Sequence, residues 1–333
     1  MAARRGWLLL WLALPALAAA PVPDAFNWHL PRGFPTPYVP ADNPMSVAKV
    51  ELGRRLFHDP QLSLTGRYAC ASCHDPARAY SDGRALAVGA TGQTLPRNAL
   101  PLVNVVYNLA FGWQTPGLTS LEAQMRQPLF NRHPVEIGLA GREAALLAYL
   151  AADAQYRRQF AQAFGAPATV ARMIQAIAAF ERTLIGGRSP FDAYVFAGDH
   201  QALSAVAKQG MALFFSARLG CAGCHFGINF AGNWRDSQGA TGPAVFADDG
   251  LGIGAVRVPT LRNLALTAPY MHDGRYASLD EVLDHYQRVG HLPDSGHGGA
   301  RDPRLRPFIL GGAERQALKA FLLSLTDAPP AAP

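Results

Sequence analysis

The sequence predicts a mainly α-helical protein made of two related halves, and three observations lead to this prediction. Apolar residues recur with helical spacing in six segments, and no segment shows sustained strand alternation. One motif context also occurs twice: a G-x-x-L-F segment, a short loop, and then C-x-x-C-H, ending at residues 74 and 225. Because the same context returns in both halves, we expect two domains related by duplication.

The two C-x-x-C-H motifs contain all four cysteines of the chain. The residues concerned are Cys70, Cys73, His74, Cys221, Cys224 and His225. Disulfides are the first expectation in an exported protein, but C-x-x-C-H is the attachment motif of c-type haem. Two cysteines one turn apart reach both vinyl groups, and the following histidine supplies the proximal iron ligand. A single copy would also fit a redox dithiol or half a zinc site; two copies with no cysteine left over predict two covalently bound c-type haems.

The first 20 residues have the composition of a secretory signal peptide. Arg4 and Arg5 precede an apolar run with an A-x-A-like end, and we expect cleavage after Ala18. The run is too short for a comfortable membrane span, although a retained anchor is the alternative. We therefore expect a periplasmic protein without a permanent membrane anchor. Without Arg4 and Arg5 the formal net charge falls from +6 to +4, which is too modest and too scattered to predict a nucleic-acid partner.

Helical periodicity is interrupted by glycine- and proline-rich loops, and this pattern suggests the domain limits. The predicted helices are 47–57, 142–164, 168–184, 201–215, 278–289 and 313–325. Gly186, Gly187 and Pro190 place a boundary near residue 187. We expect a signal peptide at 1–20, an extension at 21–44, cytochrome c domains at 45–187 and 188–326, and a disordered tail at 327–333. The long loops 75–120 and 226–268 are expected to wrap the haems.

The order of motifs resembles that of the bacterial di-haem cytochrome c peroxidase and MauG superfamily, from about residue 45 to 326. The resemblance rests on LGRRLFHDPQLS, CASCH, PRNALPLVNVVYN, SLEAQ, PVEIG, AFERTLIGGRSPFDAY, CAGCH and PTLRNLALTAPYMHDGRYASLDEVLDHY. The segment RQPLFNRHPVEIGL is similar to the MauG-like, MbnH-type branch, which occurs with methanobactin systems and small copper-binding partner proteins.

The resemblance implies an N-terminal haem that meets peroxide and a C-terminal haem that handles electrons, bound by His74 and His225. It places Trp113 between them as a bridge, where the alternative is a core tryptophan. It also places one calcium ion at Asn98, Thr267 and Pro269. A side-chain oxygen with backbone carbonyls and water suits such a hard cation, although Asn98 could instead cap a turn.

The distal side of the first haem is expected to lack a protein ligand. Ala90 occupies the position where peroxide-scavenging members carry a ligating histidine. His58 and His133 are the alternatives, and both are interpreted as structural histidines. The resemblance makes Glu136 the acid–base group for peroxide cleavage and Gln124 the amide that orients it. These two are twelve residues apart, two more than is usual in the family, and Glu136 could otherwise cap a helix.

The second haem has two candidate distal ligands. Met271 is one candidate, because methionine is often the sixth iron ligand in a cytochrome c. The position of the ligand in the family, however, matches Tyr286, which lies on the apolar face of helix 278–289. His285 is expected to point elsewhere, and His272 to donate a hydrogen bond in the haem pocket. Methionine raises the reduction potential of a haem, whereas a phenolate stabilises higher iron valence.

With Tyr286 as ligand, the resemblance implies a MauG-like enzyme. Hydrogen peroxide would produce a bis-Fe(IV) state that oxidises a residue, most simply tryptophan, of a partner protein. The alternative is a cytochrome c peroxidase that receives electrons from a small cytochrome or copper protein. A non-enzymatic electron-transfer protein is the third hypothesis, and Glu136 with Gln124 argues against it.

Overall fold

The structure is a computed structural model that describes residues 26–114, 117–232, 235–240, 246–248, 255–291 and 304–327. In this part of the chain the protein is mainly helical, as predicted, with nine α-helices joined by long loops and short 3-10 turns. The predicted signal peptide and residues 328–333 of the predicted tail lie outside the described residues. Among the described helices, none is both long and apolar enough to cross a membrane.

Helices account for most of the regular structure, and the strands are short. The helices are α1 (Val47–His58), α2 (Leu121–Phe130), α3 (Glu143–Ala152), α4 (Ala154–Phe164), α5 (Val170–Glu181), α6 (Pro190–Phe196), α7 (Ala205–Phe214), α8 (Leu279–His291) and α9 (Gly312–Leu323). The strands form two antiparallel pairs, β1 (Arg235–Asp236) with β2 (Gly239–Ala240), and β3 (Phe246–Asp248) with β4 (Ala255–Arg257).

One predicted helix was wrong in its extent. The segment 142–164 divides into α3 and α4 at Asp153, whose backbone is extended and whose carboxylate accepts a hydrogen bond from Tyr156 N at 2.8 Å. An aspartate in this role caps a new helix, so it interrupts a continuous apolar pattern. The sequence analysis also missed α2, which contains Pro128, and the short α6.

The N-terminal half has a core built on α1 and α5. Its buried apolar residues extend from Leu52 to Leu184. The two helices approach closely at Gly53, where a Cβ atom would lie 1.9 Å from Ala176 O. Glycine is therefore required by this helix crossing.

The C-terminal half repeats this arrangement with α7 and α9. Its core extends from Phe191 to Leu325. A Cβ atom at Gly210 would lie 1.8 Å from Ala317 O, so the helices again meet at a glycine. The two cores lie on either side of residue 187, and the domain limits of 45–187 and 188–326 stay a prediction.

Matching turns follow the haem motif in each half. Asn104 and Asn263 both have a left-handed backbone, with φ of 61°, and both cap a 3-10 turn, Val105–Tyr107 and Leu264–Leu266 respectively. Asparagine tolerates this conformation better than most residues. The matching turns and the matching glycine crossings are what a duplicated cytochrome domain predicts.

Candidate functional site

Each C-x-x-C-H motif folds as a tight 3-10 turn followed by its histidine. His74 N donates to Cys70 O at 3.0 Å, and His225 N donates to Cys221 O at 2.9 Å. The turn brings both cysteines and the histidine of each motif to the wall of one cavity. Local sequence thus builds each attachment site without help from the other half.

The first cavity has a volume of about 350 Å³ and contains the polar side chains predicted for peroxide chemistry. Cys70, Cys73 and His74 lie in its wall, as do Gln124 and Glu136. The cavity therefore brings the predicted acid–base group, its orienting amide and the first haem motif together.

The second cavity, of about 220 Å³, is lined mainly by apolar side chains. It contains Cys221, Cys224 and His225, and both candidate ligands, Met271 and Tyr286, also line it. Much of the remaining wall comes from apolar residues of α8 and of the segment 256–264.

The histidines have the hydrogen bonding expected of proximal iron ligands. His74 Nδ1 lies 2.8 Å from Tyr80 O, and His225 Nδ1 lies 2.9 Å from Phe230 O. Burial lowers the pKa of both imidazoles, to about 4 for His225. A neutral imidazole that donates from Nδ1 to a carbonyl presents Nε2 as a base, which is the arrangement of a metal-binding histidine.

The cysteines do not have the properties of a reactive dithiol. Burial raises the pKa of Cys70 to about 12 and that of Cys221 to about 11. Reactive and metal-binding cysteines have a lowered pKa, whereas a thioether to haem carries no charge and suits burial. In the described part of the chain no cluster of three His, Cys, Asp or Glu residues could hold a metal ion. The residues of each cavity therefore fit a covalently attached haem.

The acid–base candidate, Glu136, is half-buried in the wall of the first cavity. Burial raises the pKa of Glu136, so a larger fraction of this carboxyl is protonated at neutral pH than in water. Ala90 N donates to Glu136 O at 2.7 Å, which fixes the loop that follows the first haem motif against the glutamate. The alanine side chain at this point has no atom that could bind iron.

Neither alternative histidine reaches the first cavity. His58 and His133 are exposed and do not line it, and His58 Nδ1 lies 2.8 Å from Arg54 O. Among the described lining residues His74 is the only histidine, although Tyr68 and Met125 also line the wall. Met125 is packed in the N-terminal core.

Trp113 lies in the walls of both cavities. Its Nε1 donates to Asn98 O at 2.8 Å, and its ring lies 6.3 Å from the ring of His272, centroid to centroid. His272 is buried and lines the second cavity. The structure therefore brings the predicted bridging tryptophan to the boundary between the two haem sites.

The distal wall of the second cavity offers both predicted ligands. Burial, followed by the nearby cysteine sulfurs, raises the pKa of Tyr286 to about 12, so the phenol is neutral unless a cation binds it. The expectation that His285 points away was wrong: it also lines this cavity, with Nδ1 3.1 Å from the Tyr276 hydroxyl. The physical reason is that the cavity spans a broad face of α8, from Leu279 to Val289.

The predicted calcium positions lie close together in space. Asn98 Nδ2 is 2.6 Å from Arg84 O and 3.5 Å from Pro269 O, and Thr267 is two residues before this proline. Backbone carbonyls thus surround the amide of Asn98, and the opposite assignment of its nitrogen and oxygen would add a further oxygen donor. Such oxygen atoms suit a hard cation, and the calcium ion stays a prediction.

Five charged residues of the cavity walls were missed by the sequence analysis, and two of them, Arg304 and Arg306, line the second cavity. Glu181 is 7% exposed and lines the first cavity; its Oε2 is buried without a hydrogen-bond partner among the described residues, and burial raises its pKa to about 8. Arg97 lines the first cavity, and Arg257 lines both. The available signal was a single charge inside an apolar segment, as in IAAFE and AVRVP.

Two C-x-x-C-H cavities that meet at one tryptophan define a di-haem c-type cytochrome. Comparison with known proteins gives its family. A family model described as di-haem cytochrome c peroxidase matches residues 47–201. The methylamine utilization protein MauG of Methylorubrum extorquens is 36% identical over 316 residues, which cover 88% of this chain and 82% of MauG. The chain belongs to the di-haem cytochrome c peroxidase and MauG family, and it is an oxidoreductase.

Other relatives agree with this assignment. The cytochrome-c peroxidase IdrP1 of Denitromonas iodatirespirans is 34% identical, over 96% of this chain and 93% of its own. A crystal structure of a MauG-like protein associated with microbial copper homeostasis superposes with a TM-score of 0.83 at 36% identity, covering 92% and 98% of the two chains. The diheme peroxidase BthA from Burkholderia thailandensis shares the fold, with a TM-score of 0.66 at 24% identity over 94% and 96%.

Proposed function

We propose that this enzyme uses hydrogen peroxide to oxidise a residue, most simply a tryptophan, of a partner protein. The observation that carries the proposal is that Trp113 is shared by a cavity with a half-buried acid–base group and a cavity lined by Tyr286. Side chains of the first cavity can accept and donate protons, and a haem in the second cavity would hold an oxidising equivalent. The tryptophan gives the two cavities a common wall.

The haems, when bound, supply the iron that accepts peroxide and the capacity to hold two oxidising equivalents. Glu136 takes a proton from the inner oxygen of hydrogen peroxide and returns it to the outer oxygen. Burial raises the pKa of Glu136, which makes its carboxyl a weaker acid and a stronger base than a carboxyl in water. Gln124 in the same wall orients the carboxyl. Peroxide then takes up two electrons and two protons to give two waters, and the partner residue provides both electrons.

Trp113 conducts electrons between the two sites. Its indole N–H is held by Asn98 O, so the ring has a fixed orientation at the boundary of the cavities. Tyr286 provides a phenolate for the second iron and stabilises its oxidised forms. A haem with this ligand is a poor acceptor for electrons from a cytochrome, which favours a protein side chain as the final reductant.

The location and partner form part of the proposal. The sequence of residues 1–20 supports export to the periplasm. Likeness to a MauG-like protein associated with microbial copper homeostasis supports a copper-binding protein as the partner. The proposed calcium ion at Asn98, Thr267 and Pro269 would stabilise the contact between the loops of the two halves.

Peroxidase activity with a small electron donor is the second candidate. Met271 lines the same cavity as Tyr286, and a methionine ligand would raise the potential of the second haem. A donor cytochrome or copper protein could then reduce it. The relatives named cytochrome-c peroxidase favour this reading.

The test compares Tyr286→His with Met271→Leu in the purified holoenzyme. We expect Tyr286→His to retain both haems, to lose peroxide-dependent oxidation of tryptophan in exported proteins of the source organism, and to change the absorption of the second haem. Met271→Leu should behave like the native enzyme. Peptide mass spectrometry and ferric absorption spectra provide the two measurements.

The opposite pattern would support the second candidate. If Met271→Leu makes the second haem high-spin, while Tyr286→His changes neither the absorption spectrum nor the oxidation of tryptophan, methionine is the ligand. Rapid peroxide turnover with reduced cytochrome c, without modification of any protein, would likewise identify a peroxidase.

A further inference from the structure

Arg257 is a buried cation with no anionic partner among the residues that the structure describes. It is 6% exposed, its Nε donates to Gly112 O at 3.2 Å, and one terminal nitrogen donates to Val258 O at 3.4 Å. No carboxylate within the described ranges forms an ion pair with it. Burial lowers its pKa to about 10, which still leaves the guanidinium charged at neutral pH.

Other buried arginines in this protein are paired. Arg262 forms two hydrogen bonds of 2.9 Å with the Asp192 carboxylate, and Arg182 binds both oxygens of Glu122 at 2.6 and 2.9 Å. A buried charge is costly unless it is paired. The contrast between Arg257 and these paired arginines indicates that the anion that pairs with Arg257 is a group bound in the cavities.

Arg97 is a second arginine in the wall of the first cavity. One terminal nitrogen donates to Pro96 O at 2.8 Å and the other to the Gln114 side chain. Its Nε is buried without a hydrogen-bond partner among the described residues. Arg97 does not line the second cavity, whereas Arg257 lines both.

The anion that each haem would bring into its cavity is the carboxylate of a propionate group. A haem carries two propionate groups, and its thioether bonds to the cysteines fix the edge that carries the former vinyl groups. Arginine binds carboxylates with two parallel hydrogen bonds, which makes it the usual partner for such a group. Arg257 lies beside Trp113, whose backbone carbonyl accepts a hydrogen bond from Arg257 N at 2.7 Å.

We propose that Arg257 binds a propionate of each haem at the boundary between the cavities, and that Arg97 binds a propionate of the first haem alone. The inference rests on the two-haem assignment and not on the identity of the oxidised partner. A positive charge near both irons favours their reduced state, so Arg257 raises both reduction potentials, while Arg97 raises only the first.

The test measures the midpoint potentials of both haems by spectroelectrochemical titration of the holoenzyme. Arg257→Gln should lower both potentials by about 59 mV, the equivalent of a tenfold change for a one-electron couple. Arg97→Gln should lower only the N-terminal potential. Haem content and helical circular dichroism establish that each variant is folded and loaded.

Arg55→Gln is the matched control, because it removes one positive charge from the N-terminal half. Arg55 pairs with Asp153 and lines neither cavity, so both potentials should stay unchanged. If Arg257→Gln does not accumulate, Arg257→Lys is measured; it keeps the charge but not the two-point contact, and both potentials should fall by a smaller amount.

Several outcomes would overturn the proposal. Unchanged potentials in the Arg257 variant, or a shift of one haem only, would exclude a residue shared by both haems. An equal shift in Arg55→Gln would show that net charge, not a local contact, sets the potentials. Loss of partner oxidation with unchanged potentials would leave the proposed function standing and reject this inference.

Discussion

The two haem cavities are built on the same local motif but differ in the rest of their walls. The first cavity, of about 350 Å³, contains two carboxyl groups, the half-buried Glu136 and the buried Glu181, and the amide of Gln124. The second, of about 220 Å³, is mostly apolar and presents Tyr286 and Met271. A shared attachment turn has therefore been placed in two different chemical environments.

The difference between the two cavity walls suggests that the two haem sites have different functions. Peroxide reduction consumes protons, so groups that exchange protons are useful only where peroxide binds. A mostly apolar wall that offers a tyrosine ligand would instead tune the potential of an iron that exchanges electrons. We propose that the first site handles protons and peroxide, and that the second stores and passes electrons.

Removal of one haem at a time gives the largest expected effect. Cys70→Ala with Cys73→Ala, and Cys221→Ala with Cys224→Ala, should each leave one covalent haem by intact-protein mass spectrometry. The first pair should abolish the reaction with peroxide. The second pair should retain that reaction but lose oxidation of the partner. Two haems surviving in either variant would reject that motif as an attachment site.

Glu136→Gln should affect the first site alone. We expect both haems to be retained and the reaction with stoichiometric peroxide to slow by about 100- to 10,000-fold, since a general acid–base group typically contributes this much. Stopped-flow absorption measures the rate. Glu51→Gln, at an exposed position of α1, is the control and should be silent. A native rate in Glu136→Gln would transfer the role to another group.

The two glycine crossings test whether the halves are stabilised in the same way. Gly53→Ala and Gly210→Ala each place a Cβ less than 2 Å from a carbonyl oxygen of the facing helix. Each should lower the free energy of unfolding by about 1–3 kcal/mol, because the helices must separate. Gly312→Ala, where a Cβ meets nothing within 4 Å, is the control. Destabilisation by one substitution only would show that the halves pack differently.

The smallest expected effect is a pH dependence of the free energy of unfolding, which arises from Glu181 in the first cavity. Burial raises the pKa of Glu181 from 4.5 to about 8, so between these values the folded protein holds a proton that the unfolded chain has released. Stability should therefore fall as pH rises through this window, with a slope of up to about 1.4 kcal/mol per unit.

Glu181→Gln should flatten that slope in denaturant unfolding of the holoenzyme. Glu143→Gln, whose carboxyl lies outside both cavities, serves as control. An unchanged slope in Glu181→Gln would mean that this carboxyl is ionised in the folded protein, and that the first cavity is less apolar around it than its burial implies.

Local chemistry explains which features could be predicted. Haem attachment depends on residues within five positions of each other, so C-x-x-C-H predicts it directly. Helical periodicity predicted most helices, but not the break at Asp153, where a cap overrides the apolar pattern. The roles of Glu136, Tyr286 and Trp113 came from resemblance to a family, because no local spacing implies them.

The sequence by itself determined the two attachment sites, the mainly helical fold and the repeated halves, since each depends on near neighbours in the chain. Only the tertiary structure decided what lines each cavity. Trp113 and Arg257 meet at a hydrogen bond of 2.7 Å although more than a hundred residues separate them. Glu181 became a cavity residue because α5 packs against α1. Long-range packing sets the burial, and burial in turn sets the charge state of each group.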